Sequence, residues 1–382
     1  MPRLCELQQE SDSLAACAAI GRPVRDPNLR GWAALLPSGP ALLHEGLRQS
    51  GVPVLRGEKG ALALGSVSQL WSAARGLADV LEDVGARAEA AELARRAGNV
   101  DTPGQRWRLP RSVLPEGRVL VMAVLNVTPD SFSDGGKFAG VQAAVEHGLR
   151  LAAEGADLID VGGESTRPGA EPVPAAEELR RAIPIVRELV RRAGVPVSID
   201  TTKAEVARAA IEAGAEVVND VSCLQRDPEL GAAIAREGAA LCLMHARGTP
   251  EDMRERAVYA DLLGEVHDEL LEGLRRAREA GVREDRIALD PGIGFAKTAA
   301  HNLLLMRRLR ELTQLGRPLL AGASRKSFLG SLSGKPAAER LTGSVAAAAV
   351  LALNGTSIVR VHDVAATREA LAVVDAVRSS AS

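Results

Sequence analysis

The sequence predicts an α/β fold: a (β/α)8 TIM barrel preceded by a small α/β module. Three observations carry this expectation. From Val119 onward, eight short apolar runs alternate with longer amphipathic segments, as repeated βα units around a parallel sheet require. The stretch 119–378 is close to the roughly 250 residues of a closed eight-unit barrel. Each run also ends in polar or charged side chains.

The runs are "VLVMAVLN" (119–126), "LIDVGGE" (158–164), "VPVSID" (195–200), "VVNDVS" (217–222), "ALCLMH" (240–245), "RIALDP" (286–291), "PLLAGAS" (318–324) and "SIVRVHD" (357–363). Between them, "VQAAVEHGLRLAAEGA", "AEELRRAIPIVRELVRRAG", "AEVARAAIEAGA" and "ATREALAVVDAVR" read as helices, several closed by a glycine stop. An open doubly wound sheet is the alternative. It is disfavoured because no GxGxxG turn follows the first strand and eight consecutive units suit closure. "GSLSGKP" (330–336) is one residue short of a phosphate loop and carries Pro336 where Ser or Thr belongs.

Residues 1–100 read as a separate small α/β module: a helix near "PALLHEGLRQSG", strands "VPVLRG" and "ALALGS" around the turn "EKG", then two helices. Residues 101–117 are polar and proline-containing and read as a linker. The barrel is expected over 118–382.

Lys plus Arg number 47 against 49 Asp plus Glu, a formal charge of -2, which provides no basic field for nucleic acid or an anionic membrane. A small-molecule ligand is the better expectation. Cys5, Cys17, Cys223 and Cys242 form no CxxC pair and no zinc spacing, so they read as reduced thiols of a cytoplasmic protein. The N-terminus lacks the layout of a signal peptide, and the longest apolar run, "VAAAAVLAL" (345–353), is too short to span a bilayer.

In a closed barrel, the C-terminal ends of all strands open onto one mouth. Asn126, Asp160, Glu164, Asp200, Asn219, Asp220, His245, Asp290, Ser324, Lys326, Arg360 and His362 all fall at such ends. Any single Asn, Asp or Ser there is more simply a helix cap or a turn residue. Lys326, Arg360 and His362 are not cap residues. Arg360 and His362, two apart, leave their strand on one face, and beside Lys326 they suit a phosphate or pyrophosphate. Asp200, Asn219, Asp290 and Lys326 together match the donor and acceptor edge of an amino-pyrimidinone heterocycle.

"LNVTPDSFSDGG" (125–136), "IDVGGESTRPGA" (159–170), "SIDTTKAEV" (198–206), "NDVS" (219–222), "LMH" (243–245), "LDPGIGFAK" (289–297), "ASRKSFLG" (323–330) and "VRVHDV" (359–364) together closely resemble the dihydropteroate synthase family, across the whole barrel and in family order. Residues 1–100 resemble an extension that some members carry, and the resemblance implies no role for it. It implies a transferase of folate biosynthesis, a sulfonamide target, that joins 6-hydroxymethyl-7,8-dihydropterin diphosphate to p-aminobenzoate with release of pyrophosphate. By the same resemblance Asn126 coordinates Mg2+ on the diphosphate. Asp200, Asn219, Asp290 and Lys326 bind the pterin, with Met244 and Phe295 as apolar walls. Asn126, Thr166, Arg360 and His362 hold the diphosphate. Thr166, Arg167, Pro168, Lys326 and Ser327 border the aminobenzoate, and Asp200, Lys326, Arg360 and His362 carry the chemistry. The loops "VTPDSFSDGG" and "STRPGA" are expected to be mobile, and a homodimer is implied.

Two departures stand out: Ile293 and Ala296 occupy positions where the family often has Phe and Gly. A pterin-binding methyltransferase barrel is one rival, but it does not need "SRK" and "RVHD" arranged for a diphosphate. A non-catalytic pterin-binding relative with a partner-binding N-terminal module is another, disfavoured because metal, phosphate and aminobenzoate motifs are all present.

Overall fold

The structure is a computed structural model that describes residues 2–7, 16, 31–37, 41–58, 60–101, 106–127, 136–167 and 169–380. The chain forms two compact units, Met1–Pro103 together with Arg310–Gly316, and Gly104–Leu309 together with Arg317–Ser382.

In the first unit β1 (Arg3–Leu7), β2 (Gly31–Pro37), β3 (Val54–Gly57) and β4 (Gly60–Gly65) form an antiparallel sheet in the order β1-β2-β4-β3. The helices are α1 (Ala41–Gln49), α2 (Val67–Val80) and α3 (Val84–Asp101). Ser66 starts α2 with a capping box, its side chain accepting from Gln69 N–H while the Gln69 side chain accepts from Ser66 N–H. The expected helix, hairpin and helix pair are present, whereas β1 and β2 went unread. "GWAALLP" carries no strict alternation, and antiparallel pairing on both sides overrides its weak strand propensity. β1 is an edge strand whose outward backbone groups would invite pairing. Residues 310–316 meet that need inside the unit: the Gln314 amide accepts from Leu4 N–H and donates to Leu4 C=O, both at 3.0 Å, and Glu311 accepts from Glu6 N–H at 2.9 Å.

The second unit is the predicted barrel. Its strands are β5 (Leu120–Asn126), β6 (Leu158–Gly162), β7 (Val197–Asp200), β8 (Val217–Asp220), β9 (Ala240–Met244), β10 (Ile287–Asp290), β11 (Leu320–Ala321) and β12 (Ile358–Val361). All pairs are parallel, in the order β10-β9-β8-β7-β6-β5-β12-β11. A parallel bridge between Leu289 and Leu319 joins the two ends of that order. The strands read as continuous apolar runs because both faces are covered, one by the barrel interior and one by helices. Those helices are α4 (Gly136–Ala153), α5 (Ala175–Arg192), α6 (Ala204–Glu212), α7 (Leu230–Glu237), α8 (Leu262–Glu279), α9 (Ala299–Arg307), α10 (Ser327–Ser333), α11 (Leu341–Leu353) and α12 (Val364–Ser379).

Inside the barrel, Leu120, Met122, Leu158, Val217, Ala240, Cys242, Ala288, Leu320 and Ile358 form one apolar cluster with Trp107 and Leu109. The last two come from the stretch expected to be a linker. Trp107 is 5% exposed, its indole N–H donates to Arg286 C=O at 2.9 Å, and Arg111 N–H and Ser112 N–H both reach Glu216 Oε2. Trp107 and Leu109 therefore plug the barrel's own core, with Arg106, Arg108 and Arg111 beside them exposed, a role that two apolar residues in a polar stretch did not announce.

Candidate active site

The strand period of two converts the apolar layer into a polar one. Two residues beyond Leu158, Val217, Ser198, Ala288 and Ile358 stand Asp160, Asn219, Asp200, Asp290 and Arg360. They meet at the C-terminal end of the barrel. Arg360 Nε donates to Asp160 Oδ2 at 2.7 Å and its Nη2 to Asp200 Oδ2 at 2.9 Å, while Asn219 Nδ2 donates to the same Asp160 oxygen at 2.9 Å. Because Asn219 gives one N–H to Asp160, its amide orientation is set, and its carbonyl oxygen and second N–H are left for a ligand.

Asp160 Oδ1 and Asp200 Oδ1 are buried without a hydrogen-bond partner among the described residues. Burial pushes the Asp200 carboxyl up, against the pull of the Arg360 guanidinium, and the neighbouring Asp160 adds to the rise. Arg360 stays protonated, since the nearby Asp160 and Asp200 outweigh its desolvation. A buried carboxylate oxygen without a donor is costly unless a ligand supplies one.

Asp290 Oδ1 accepts from Gly292 N–H at 2.7 Å, and burial raises this carboxyl too, opposed first by Lys326. The Lys326 ammonium donates to Ile293 C=O and lies 4.8 Å from the centre of the Phe295 ring. Burial brings its pKa down to about 8. The turn between these residues is tightly specified. Gly292 has φ +69°, and a Cβ there would fall 2.2 Å from His245 C=O, so only glycine fits. Ala296 has φ +46°, a left-handed conformation that explains why the family often has glycine at that place.

His362 and Ser324 form a pair. Ser324 Oγ accepts from His362 N–H at 3.2 Å and lies 3.0 Å from His362 Nδ1, so the hydroxyl proton is free to go to Nδ1 and leave Nε2 protonated. Burial and Arg360 hold the imidazole down at about 4. The Arg360/His362 pair is thus one cation and one neutral donor.

The remaining predicted residues divide. Asn126 closes β5, half-buried, with its Oδ1 3.4 Å from where a Gly162 Cβ would stand. Thr166 is half-buried and Arg167 exposed on the loop after β6, and Ser327 is exposed as the first residue of α10. Pro168 and most of "VTPDSFSDGG", residues 128–135, lie outside the described residues. Asp220 serves a turn, accepting from Ser222 N–H, Ser222 O–H and Leu224 N–H. His245 is turned to Lys297 Nζ at 2.9 Å and to Glu269 Oε2 at 3.0 Å. Asp160 and Lys297 are the groups that the sequence did not assign. Asp160 was visible as a strand-end carboxylate, and only its spacing two residues beyond Leu158 signals that it faces inward. Burial brings Lys297 down to about 7. Met244 is buried, and so are the three described cysteines, Cys5, Cys223 and Cys242, all free thiols.

Residues 122–362 match the model of a family described as pterin binding enzyme. The chain is 48% identical over 260 residues to a dihydropteroate synthase of Synechocystis, covering 68% of this chain and 90% of that protein. Against the Escherichia coli K12 dihydropteroate synthase it is 46% identical over 260 residues, 68% of this chain and 92% of the relative. Among solved structures, the Yersinia pestis dihydropteroate synthase in complex with a sulfonamide drug superposes with a TM-score of 0.68 at 44% identity, covering 71% of this chain and 98% of that one. The Xanthomonas albilineans enzyme with 7,8-dihydropteroate gives a TM-score of 0.63 at 46% identity, covering 69% and 94%. With the polar layer and the motifs that carry it present in one barrel, the chain belongs to the pterin-binding enzyme family and, within it, to the dihydropteroate synthases.

Proposed function

We infer that the chain condenses 6-hydroxymethyl-7,8-dihydropterin diphosphate with p-aminobenzoate, giving 7,8-dihydropteroate and pyrophosphate. The observation that carries the residue roles is the pair of buried, unpartnered oxygens on Asp160 and Asp200 beside the Asn219 carbonyl, a set of acceptors awaiting N–H donors. Asp200, Asn219 and Asp290 take the donor edge of the pterin, and Lys326 gives a proton donor to its acceptors. Arg360 has two guanidinium nitrogens engaged with Asp160 and Asp200, which fixes its plane and leaves Nη1 for the leaving diphosphate. His362 adds a neutral Nε2–H donor. The aminobenzoate amine attacks the methylene carbon as the carbon–oxygen bond breaks, and one amine proton passes to solvent. Positive charge that develops on the pterin methylene is stabilised by Asp200. No group is needed as a strong base, because an arylamine is itself weakly basic. Thr166, Arg167, Pro168, Lys326 and Ser327 border the aminobenzoate.

Asn126 fits Mg2+: its amide oxygen is a hard neutral ligand, and no hydrogen bond from a described residue reaches that amide. Among the described residues no group of three His, Cys, Asp or Glu side chains could hold a metal by itself, so diphosphate oxygens and water would complete the shell. Bound there, the ion would neutralise the leaving diphosphate. A cytoplasmic location accords with buried free thiols. Among the described residues no helix is long and apolar enough to cross a membrane. A homodimer is supported by exposed apolar side chains on neighbouring helices, Val350 and Leu353 on α11 with Val373 and Val377 on α12.

Pyrophosphate release from purified protein given the pterin diphosphate, with and without p-aminobenzoate, tests the reading. Release that depends on the arylamine is expected. Methyl transfer to a corrinoid instead, or pterin binding without turnover, would favour the rivals.

A further inference from the structure

Lys203 occupies the position before α6, where a helix favours Ser, Asp or Thr and where a positive charge opposes the helix dipole. Its side chain makes no cap bond to α6. Instead Nζ donates to Glu164 Oε2 at 2.6 Å and to Glu178 Oε2 at 2.5 Å. Glu178, in the first turn of α5, has a side chain that is 0% exposed, and burial pushes its carboxyl up against the pull of Lys203. The second oxygen of Glu164 accepts from Val173 N–H at 2.9 Å, so one carboxylate joins the two ends of the loop that follows β6. The backbone runs close over Glu178 there: a Cβ on Gly163 would stand 3.0 Å from Glu178 Cγ. Further along the loop, Gly169 N–H donates to Pro250 C=O at 2.8 Å. The loop that follows β6 is thus tied at its base by a charge bridge, and Thr166 and Arg167 lie two and three residues beyond Glu164.

We propose that Lys203 is a positioning residue for the aminobenzoate side of the site: by bridging Glu164 and Glu178 it fixes the base of the 163–174 loop and so sets where Thr166 and Arg167 stand. The lysine gives its own helix end no cap bond and supplies the loop with a cation at that point instead. The inference rests on the reading that Thr166 and Arg167 border the aminobenzoate. Lys203 donates no hydrogen bond to the pterin set of Asp200, Asn219, Asp290 and Lys326. Its partner Glu178 acts on Asp200 only through charge, as one of the smaller causes of that carboxyl's rise, so the loss of Lys203 falls chiefly on one substrate.

The test compares Lys203→Met, Lys203→Arg and the double variant Lys203→Met with Glu178→Gln, which removes the buried carboxylate left without its partner and so protects folding. In the folded variants lacking the cation, the KM for p-aminobenzoate should rise about tenfold or more, as misplacement of substrate-holding groups does. Affinity for the pterin diphosphate should stay within about twofold of wild type, and Lys203→Arg should recover part of the loss. Thr166→Ala and Arg167→Ala run alongside. If they raise the aminobenzoate KM while the Lys203 variants do not, or while those variants weaken both substrates in parallel, the positioning role is wrong. If Thr166→Ala and Arg167→Ala leave that KM unchanged, the reading of the loop itself is wrong and this inference falls with it.

Discussion

Asp160 and Arg360 lie 200 residues apart in sequence and meet at 2.7 Å through Oδ2 and Nε, in the middle of the barrel mouth. The same oxygen takes the Asn219 NH2 at 2.9 Å, so a single carboxylate with 0% exposure orients a cation and an amide at once. Replacing Asp160 by Ala removes a charged hydrogen bond, worth about 1.5–3 kcal/mol. It also frees the Asn219 amide to rotate. Pterin affinity measured by calorimetry should fall by that order. Because the Asp160 charge helps raise Asp200, the Asp200 carboxyl should titrate lower in the variant. An Asp200 titration that does not move would separate the two carboxylates electrostatically.

Asn126→Ala should leave folding and pterin alcohol binding intact and lower turnover with the diphosphate, because the change removes one neutral oxygen at a strand end. The check is a Mg2+ titration of the rate. Wild-type Mg2+ dependence in the variant would remove Asn126 from the metal site.

Acid should act through His245, whose pKa is brought down from 6.5 to about 4 chiefly by burial, with Lys297 adding to it. A folded-state pKa below the unfolded one means that the neutral form supports the fold. Its contribution is whole above pH 6.5 and drains away as pH falls toward 4. The drop corresponds to on the order of 3 kcal/mol. Buried carboxyls with raised pKa values, Asp200 at about 8 among them, work in the opposite sense as pH falls through this range, so the difference curve between wild type and His245→Gln is the quantity to follow. Denaturant unfolding at a series of pH values should show the wild type losing more stability than the variant between pH 6.5 and 4. Parallel curves would mean that His245 titrates normally.

Trp107 seals the barrel core, and Trp107→Ala should cost about 3–5 kcal/mol, as buried aromatic truncations do. The same physics bears on truncation. A chain beginning at Gly104 keeps Trp107 and Leu109 and should retain turnover, since none of the strand-end groups belongs to residues 1–103. A chain beginning at Ser112 loses both and should unfold at lower denaturant. Equal midpoints for the two truncations would show that the plug is dispensable.

The sequence by itself determined the eight strands in their order, the mouth at which they end and the identity of most groups there. Those properties are local: a run of apolar residues closed by Asn126, Asp200 or Asp290 states its own face and its own end through a period of two. It overstated "PLLAGAS", of which only Leu320 and Ala321 pair as a strand. It also left β1 and β2 unread, because their pairing is non-local and their composition weakly strand-like. What only the tertiary structure decided are relations between distant residues. These include the Asp160 carboxylate shared by Asn219 and Arg360, the neutrality of His362 beside Arg360, and the Lys203 bridge across Glu164 and Glu178. They also include the plug made from Trp107 and Leu109 and the capture of Leu4 by Gln314. Each of these depends on which side chains burial brings within hydrogen-bond reach and on how far desolvation moves their charges. Neither quantity is carried by the residues one at a time.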